Sequence, residues 1–127
     1  SPRVRQPVVV ALGARRVVES AKPLRKRLTD RDEAVGVRIA AAGALAAVCD
    51  PAAVEPLTRL ARRFADPQDQ SVDRPVAPAA VTALGQLHPA DLDDRLAPLL
   101  AAGAPPPARE AARAALAAPG QCGAAPR

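Results

Sequence analysis

Between Val37 and Val48, apolar side chains return at steps of three and four residues: Val37, Ala40, Ala41, Ala44, Leu45 and Val48. That spacing lines one side of an α-helix and predicts a helix with one buried face. A second stripe follows Asp50-Pro51, with Val54, Leu57, Leu60, Ala61 and Phe64 at the same period. Asp before Pro is a start signal. The carboxylate accepts from the free amides of a first turn, and the fixed φ of proline suits the first helical position. The stretch reads as a pair of helices. Comparable stripes stand at Leu24 and Leu28, after a cap expected at Ser20, and at Leu92, Leu96, Leu99 and Leu100.

The pattern is periodic on a longer scale. "VRQPVVVALG" from Val4, "VRIAAAGALA" from Val37, "VAPAAVTALG" from Val76 and "AREAARAALA" from Ala108 each place Ala-Leu at the same offset. The leucines Leu12, Leu45, Leu84 and Leu116 are separated by 33, 39 and 32 residues, which implies one insertion, most simply in "ADPQDQSVDRP". Pro23-Leu24 and Pro56-Leu57 repeat at the interval of 33 as well. Pro7 and Pro78 lie inside the expected first helices and are read as late starts or bends, because proline is tolerated only in a first turn.

These residues resemble the HEAT repeat, in the variant associated with phycobilisome lyases. Asp32, Val37-Arg38, Ala44-Leu45, Asp50-Pro51-Ala52-Ala53-Val54 and Pro56-Leu57 match its pattern. The first unit matches through Val4-Arg5 and Ala11-Leu12-Gly13, the third through Ala83-Leu84-Gly85, and the fourth, a half unit, through Ala108-Arg109. The resemblance implies a right-handed all-α solenoid of about three and a half helical hairpins. It also implies an Arg-Asp ladder between units, in which Arg38 with Asp32 is the full match. The third unit, with Ala77 and Ser71 in those places, is expected to stack least tightly. One domain is expected over residues 1–118, with units at about 1–30, 31–66, 67–103 and 104–118, followed by a flexible tail over 119–127. The fourth unit breaks off after Leu116, which leaves an open face for another segment or subunit to cover.

Composition changes this picture little. Apolar residues make up 49% of the 127, nearly all small or aliphatic, with Phe64 as the sole aromatic. A core of such side chains must gain from many close contacts instead of a few large anchors. The cleanest uncharged apolar run, Ile39 to Cys49, stops after eleven residues, well short of the roughly 20 that span a bilayer. No membrane association is expected, and the setting is expected to be cytoplasmic. The sequence opens on Ser and reads as an excerpt, so any targeting signal or flanking repeat lies outside it. Cys49 is expected to be a small buried hydrophobe and Cys122 to sit in a fraying end, with a disulfide between them the lesser alternative.

Candidate chemistry is sparse. His88 stands alone before Pro89 at a turn and is read as capping or solvated. Asp91, Asp93 and Asp94, like Asp30, Asp32 and Glu33, fall at helix starts, where negative charge favours the dipole. No phosphate-binding glycine motif and no His-Glu pair occurs. No catalytic residue, metal or cofactor is expected.

Charge is more telling. Residues 1–65 hold 13 Lys and Arg against 6 Asp and Glu, whereas residues 66–127 hold 5 against 7. The second helices of the first two units carry Arg25, Lys26 and Arg27, then Arg59, Arg62 and Arg63. In the resembled family those helices line the concave surface. The expected role is a non-catalytic scaffold that grips a protein partner there, with Arg25, Lys26, Arg59, Arg62 and Arg63 as binding residues. The alternative is an acidic peptide or the phosphates of a nucleic acid duplex on the same stripe. An accessory subunit of a chromophore lyase is less favoured, since a tetrapyrrole pocket needs aromatic contacts.

Stacking should be the source of stability, because no unit alone covers its apolar face. Leu84→Asp, in the middle of the array, should therefore abolish the cooperative thermal transition. Near-native melting of that variant by circular dichroism would contradict the repeat reading.

Overall fold

The computed structural model describes residues 21–122. The expectations for Val4-Arg5, Pro7, Ala11-Leu12-Gly13 and Ser20 lie outside the described residues. Among the described residues six α-helices follow one another: α1 (Ala21–Thr29), α2 (Val35–Ala47), α3 (Val54–Arg62), α4 (Ala77–Leu87), α5 (Leu92–Leu100) and α6 (Pro106–Ala117). No strand occurs among the described residues. The architecture is an α-solenoid in which helices pack in pairs and neighbouring pairs stack.

Local signals fix the helix ends. The Asp50 carboxylate accepts from Ala52 N at 3.2 Å, and a 3-10 turn over Pro51–Ala53 leads into α3. A second 3-10 turn, Arg74–Val76, leads into α4. Pro78 thus falls in the first turn of α4, where its missing N–H removes no intrahelical bond. Pro106 and Pro107 open α6 by the same logic. Asp91 precedes α5, whose first turn holds Asp93 and Asp94. His88 ends α4 in the left-handed region, with φ of 48°, and donates its backbone N–H to Leu84 O at 2.7 Å.

Small side chains let the helices approach closely. Ala41, Ala42, Ala44 and Ala46 of α2 are all buried, as are Ala80 and Ala83 of α4. A Cβ added at Gly85 would stand 3.0 Å from Ala115 Cα, so the glycine is what lets α4 meet α6 backbone to backbone. The equivalent leucines Leu45 and Leu84 are completely buried, and Leu116 is partly buried against the same core. Leu24, Leu28, Leu57, Leu92, Leu96 and Leu99 complete the interior. Leu100 does not join them; it is 37% exposed.

α2, α4 and α6 form one row and α3 and α5 the other; between rows, α3 packs chiefly on α4 and α5 on α6, while α1 packs on α2. The second helix of each expected unit thus lies nearest the first helix of the next. The third unit is not the loose one. Val76, Ala77, Ala80, Val81 and Leu84 are buried, and α4 packs against α2, α3 and α6. Glu110, Arg113, Ala114 and Ala117 of α6 are exposed.

The cysteines correct the sequence expectation. Cys49 and Cys122 form a disulfide, with Cα atoms 5.6 Å apart and a sequence separation of 73. Cys49 ends α2 at φ of 57°, as His88 ends α4 at 48°, and the C-terminal segment runs over both helix ends. Gln121 N and Cys122 N donate to Gln86 O at 2.8 and 3.2 Å. Gly120 takes φ of 75°, and a Cβ there would come within 2.7 Å of the His88 Cβ, so only glycine fits. The spacing of two isolated cysteines carries no information about this meeting. It follows from helix ends of successive units lying side by side. Such bonds persist in oxidising compartments, and in a reducing cytoplasm the same residues stand as thiols. No helix among the described residues is long and apolar enough to cross a membrane.

Loop closure over 73 residues should contribute about 4 kcal/mol by restricting the unfolded chain. The double variant Cys49→Ser, Cys122→Ser should lower the denaturant midpoint accordingly, and dithiothreitol should do the same to the wild type. Identical midpoints with and without reductant would show that the bond does not form.

Candidate functional site

One side chain organises the most distinctive part of the surface. Arg38, in the first turn of α2, is 1% exposed. Its Nε donates to Leu28 O at 2.9 Å, its Nη1 to Val72 O at 3.3 Å and its Nη2 to Asp73 Oδ1 at 2.8 Å. It thereby closes the carbonyl end of α1 and pins the loop that precedes α4. The ladder partner expected at Asp32 is thus replaced by Asp73. The insertion of about six residues carries an Asp from the next unit to the guanidinium, whereas Asp32 is exposed in a turn, its N–H held by Asp30 Oδ1 at 2.9 Å. Arg109, at the position equivalent to Arg38, donates to Ala102 O and Ala104 O beyond α5 at 3.1 and 2.6 Å.

Above this pair opens a cleft of about 580 Å³. Its walls are the turn after α1, the face of α3 and the loop over residues 66–73. Five arginines line it, Arg31, Arg38, Arg59, Arg62 and Arg63, with Asp66, Asp69 and Asp73. Each carboxylate is already engaged. Asp66 accepts from Gln68 N at 2.8 Å. Asp69 accepts from Ser71 N at 2.8 Å and meets Arg63 at 3.5 Å. The bond from Ser71, backed by Arg63, holds the Asp69 carboxyl below the ordinary range, so it stays ionised through neutral pH. Asp73 takes Arg38 at 2.8 Å, with Arg31 at 3.6 Å and Arg63 at 3.9 Å.

The five residues expected to bind a partner separate into groups. Arg59, Arg62 and Arg63 line the cleft. Arg59 is exposed and has no hydrogen bond or ion pair among the described residues. Arg25 and Lys26 stand outside it. Arg25 is ion-paired with Asp50, the cap residue at the start of α3, and Lys26 is exposed. Arg31, which sequence reading passed over because it sits among the acids of a helix start, joins the cleft with its side chain 60% exposed.

Arg62 has a structural task too. Pro98, inside α5, cannot donate to the carbonyl four residues back, that of Asp94. Arg62 Nη2 donates to that oxygen at 3.2 Å and its Nε to Arg95 O at 3.0 Å. The reciprocal stitch runs from Arg95 to Glu55 at 3.0 Å and to Thr58 Oγ1 at 3.1 Å. Arg95 also bonds Asp91 at 2.7 Å and so holds that carboxyl below its usual range. This contribution is complete above the ordinary Asp range and is lost as pH falls through the lowered value.

Other candidates offer no reactive arrangement. His88 Nδ1 lies 3.3 Å from Gly85 O, in keeping with the capping role. Among the described residues no group of three His, Cys, Asp or Glu is placed to hold a metal ion.

The family model for HEAT repeats matches residues 1–72, more than half of the chain. No curated protein and no solved structure matches.

Asp73→Ala should leave the Arg38 guanidinium buried without its counter-charge, at a cost of about 3–5 kcal/mol. Asp32→Ala, at the position of the expected ladder, should change stability by less than about 0.5 kcal/mol, as exposed substitutions do. Urea midpoints of the two variants decide between the partners; equal losses would contradict the assignment of Asp73.

Proposed function

We propose that this chain, which belongs to the HEAT-repeat family, is a non-catalytic adaptor that holds another protein against the α3–α5 row and the cleft beside it. Members of this family commonly mediate protein–protein interaction, and a stacked array offers a long surface with rigid spacing. The observation that carries the reading is the open cleft itself, where five arginines face three carboxylates that are already engaged. The interior supports it from the other side, since most of the large apolar residues are buried in stacking, with Val35, Ile39, Val72 and Leu100 left exposed.

The nucleic acid alternative gains less from the geometry. A duplex is gripped by a run of cations that follows its phosphates. Here the run is interrupted: Arg25 is paired with Asp50, Arg62 is spent on carbonyls of α5, and Asp66 and Asp69 stand in the cleft wall.

The full chain, immobilised and challenged with extract from its native source, should retain a defined protein that Arg59→Glu no longer retains, with the melting curve of the variant unchanged. Retention of duplex DNA in place of protein, lost as salt is raised, would transfer the function to the alternative.

A further inference from the structure

We infer that the cleft between the α1–α2 turn, α3 and the 66–73 loop is a docking site for an acidic segment of the partner, whose Asp or Glu carboxylates seat on Arg59, Arg31 and Arg63. The inference rests on the adaptor reading and names the chemistry of what is bound.

The argument is one of unused hydrogen-bond capacity. A guanidinium carries five N–H donors in a planar fork that matches a carboxylate. Arg38 spends its donors on Leu28 O, Val72 O and Asp73, and it is sealed from solvent. It forms the floor and fixes the position of Asp73, so it takes no part in recognition. Arg59 spends none on the described residues. Arg31 reaches Asp73 only at 3.6 Å with its side chain 60% exposed. Arg63 reaches Asp69 at 3.5 Å and Asp73 at 3.9 Å with its side chain 49% exposed. These are long, solvent-screened contacts of small worth, and they leave most donors of both forks turned to water. Two more arginines than aspartates line the cleft, so an incoming carboxylate meets a net positive field.

Shape selects among anions. A cleft of about 580 Å³ is within the range of roughly 300–1,000 Å³ that encloses a small ligand or a few side chains. Leu60 and Pro56 supply apolar wall beside the guanidinium groups, suited to the methylene stems of Glu. Asp66 and Asp69 border the same space and repel an unbroken row of phosphates, whereas a peptide presents its charges singly and at adjustable spacing. The observations thus favour a protein segment over a nucleic acid backbone.

The test uses a fluorescein-labelled peptide of alternating Glu and Leu residues, its Gln-for-Glu counterpart, and the full chain, read by fluorescence anisotropy. The Glu peptide should bind, progressively more weakly as sodium chloride is raised, and the Gln peptide should not. Arg59→Gln and Arg31→Gln should each weaken binding about tenfold, the loss expected of one charge-assisted pair. Lys26→Gln and Arg113→Gln, which remove exposed cations outside the cleft, should leave it unchanged. Equal losses from all four variants, or binding of a duplex DNA oligonucleotide ahead of the Glu peptide, would overturn the proposal. Retention of a natural protein partner by wild type and Arg59→Gln alike would overturn it while leaving the adaptor reading intact. Peptide binding at the cleft with no protein retained would do the reverse.

Discussion

A guanidinium cannot give up its charge inside a protein, so burying one obliges the fold to bring acceptors to it. At Arg38 those acceptors come from two places in the chain: the last turn of α1, through the Leu28 carbonyl, and the loop before α4, through the Val72 carbonyl and the Asp73 carboxylate. The demand for partners therefore fixes the relation between one helix pair and the next more sharply than contacts among alanines could. Apolar faces of Ala and Val slide over one another at little cost, whereas a forked donor with three acceptors has a single register. The cleft lies beside this pair, walled by α3 and the 66–73 loop.

Hydrophobic burial supplies the bulk of the stabilisation and the polar stitches supply its geometry. The buried alanines of α2 and α4 and the glycine that faces Ala115 bring backbones close, so dispersion contacts accumulate over a short distance. Arg62 and Arg95 cross between α3 and α5 in opposite directions, and Arg62 also satisfies the carbonyl that Pro98 strands. The proline and the arginine form one device on two helices, a helix break repaired from a neighbour.

Helix positions and the buried leucines were legible in the sequence because they depend on spacing along one chain segment. Leu45, Leu84, Leu57 and Leu96 could be assigned from period alone, and Asp50-Pro51 announced the start of α3. Relations between units were not legible to the same degree. The family resemblance pointed to Asp32 as the partner of Arg38, and only the path of the inserted loop brings Asp73 there instead. Arg59 and Arg63 could be placed on a basic face from periodicity, yet Arg31 enters the cleft from a turn, where no period applies. Arg25 carries the same charge as Arg59 but is neutralised by Asp50, a residue 25 positions away. The cysteines failed for a similar reason, since a meeting of two helix ends leaves no trace in the spacing of two isolated thiols.

The Cys49–Cys122 bond changes the kind of object this array is. In a row of stacked units each touches only its neighbours, and the outermost one comes undone most readily. Here α3 to α6 are enclosed in a covalent ring that begins at the end of α2, so the last helix can peel away from α4 only as far as the short slack of residues 118–121 allows. Opening at the C-terminal edge is thereby coupled to the interior of the array. The units between the two sulfurs should breathe as one block, with amides in α6 exchanging in step with those of α4.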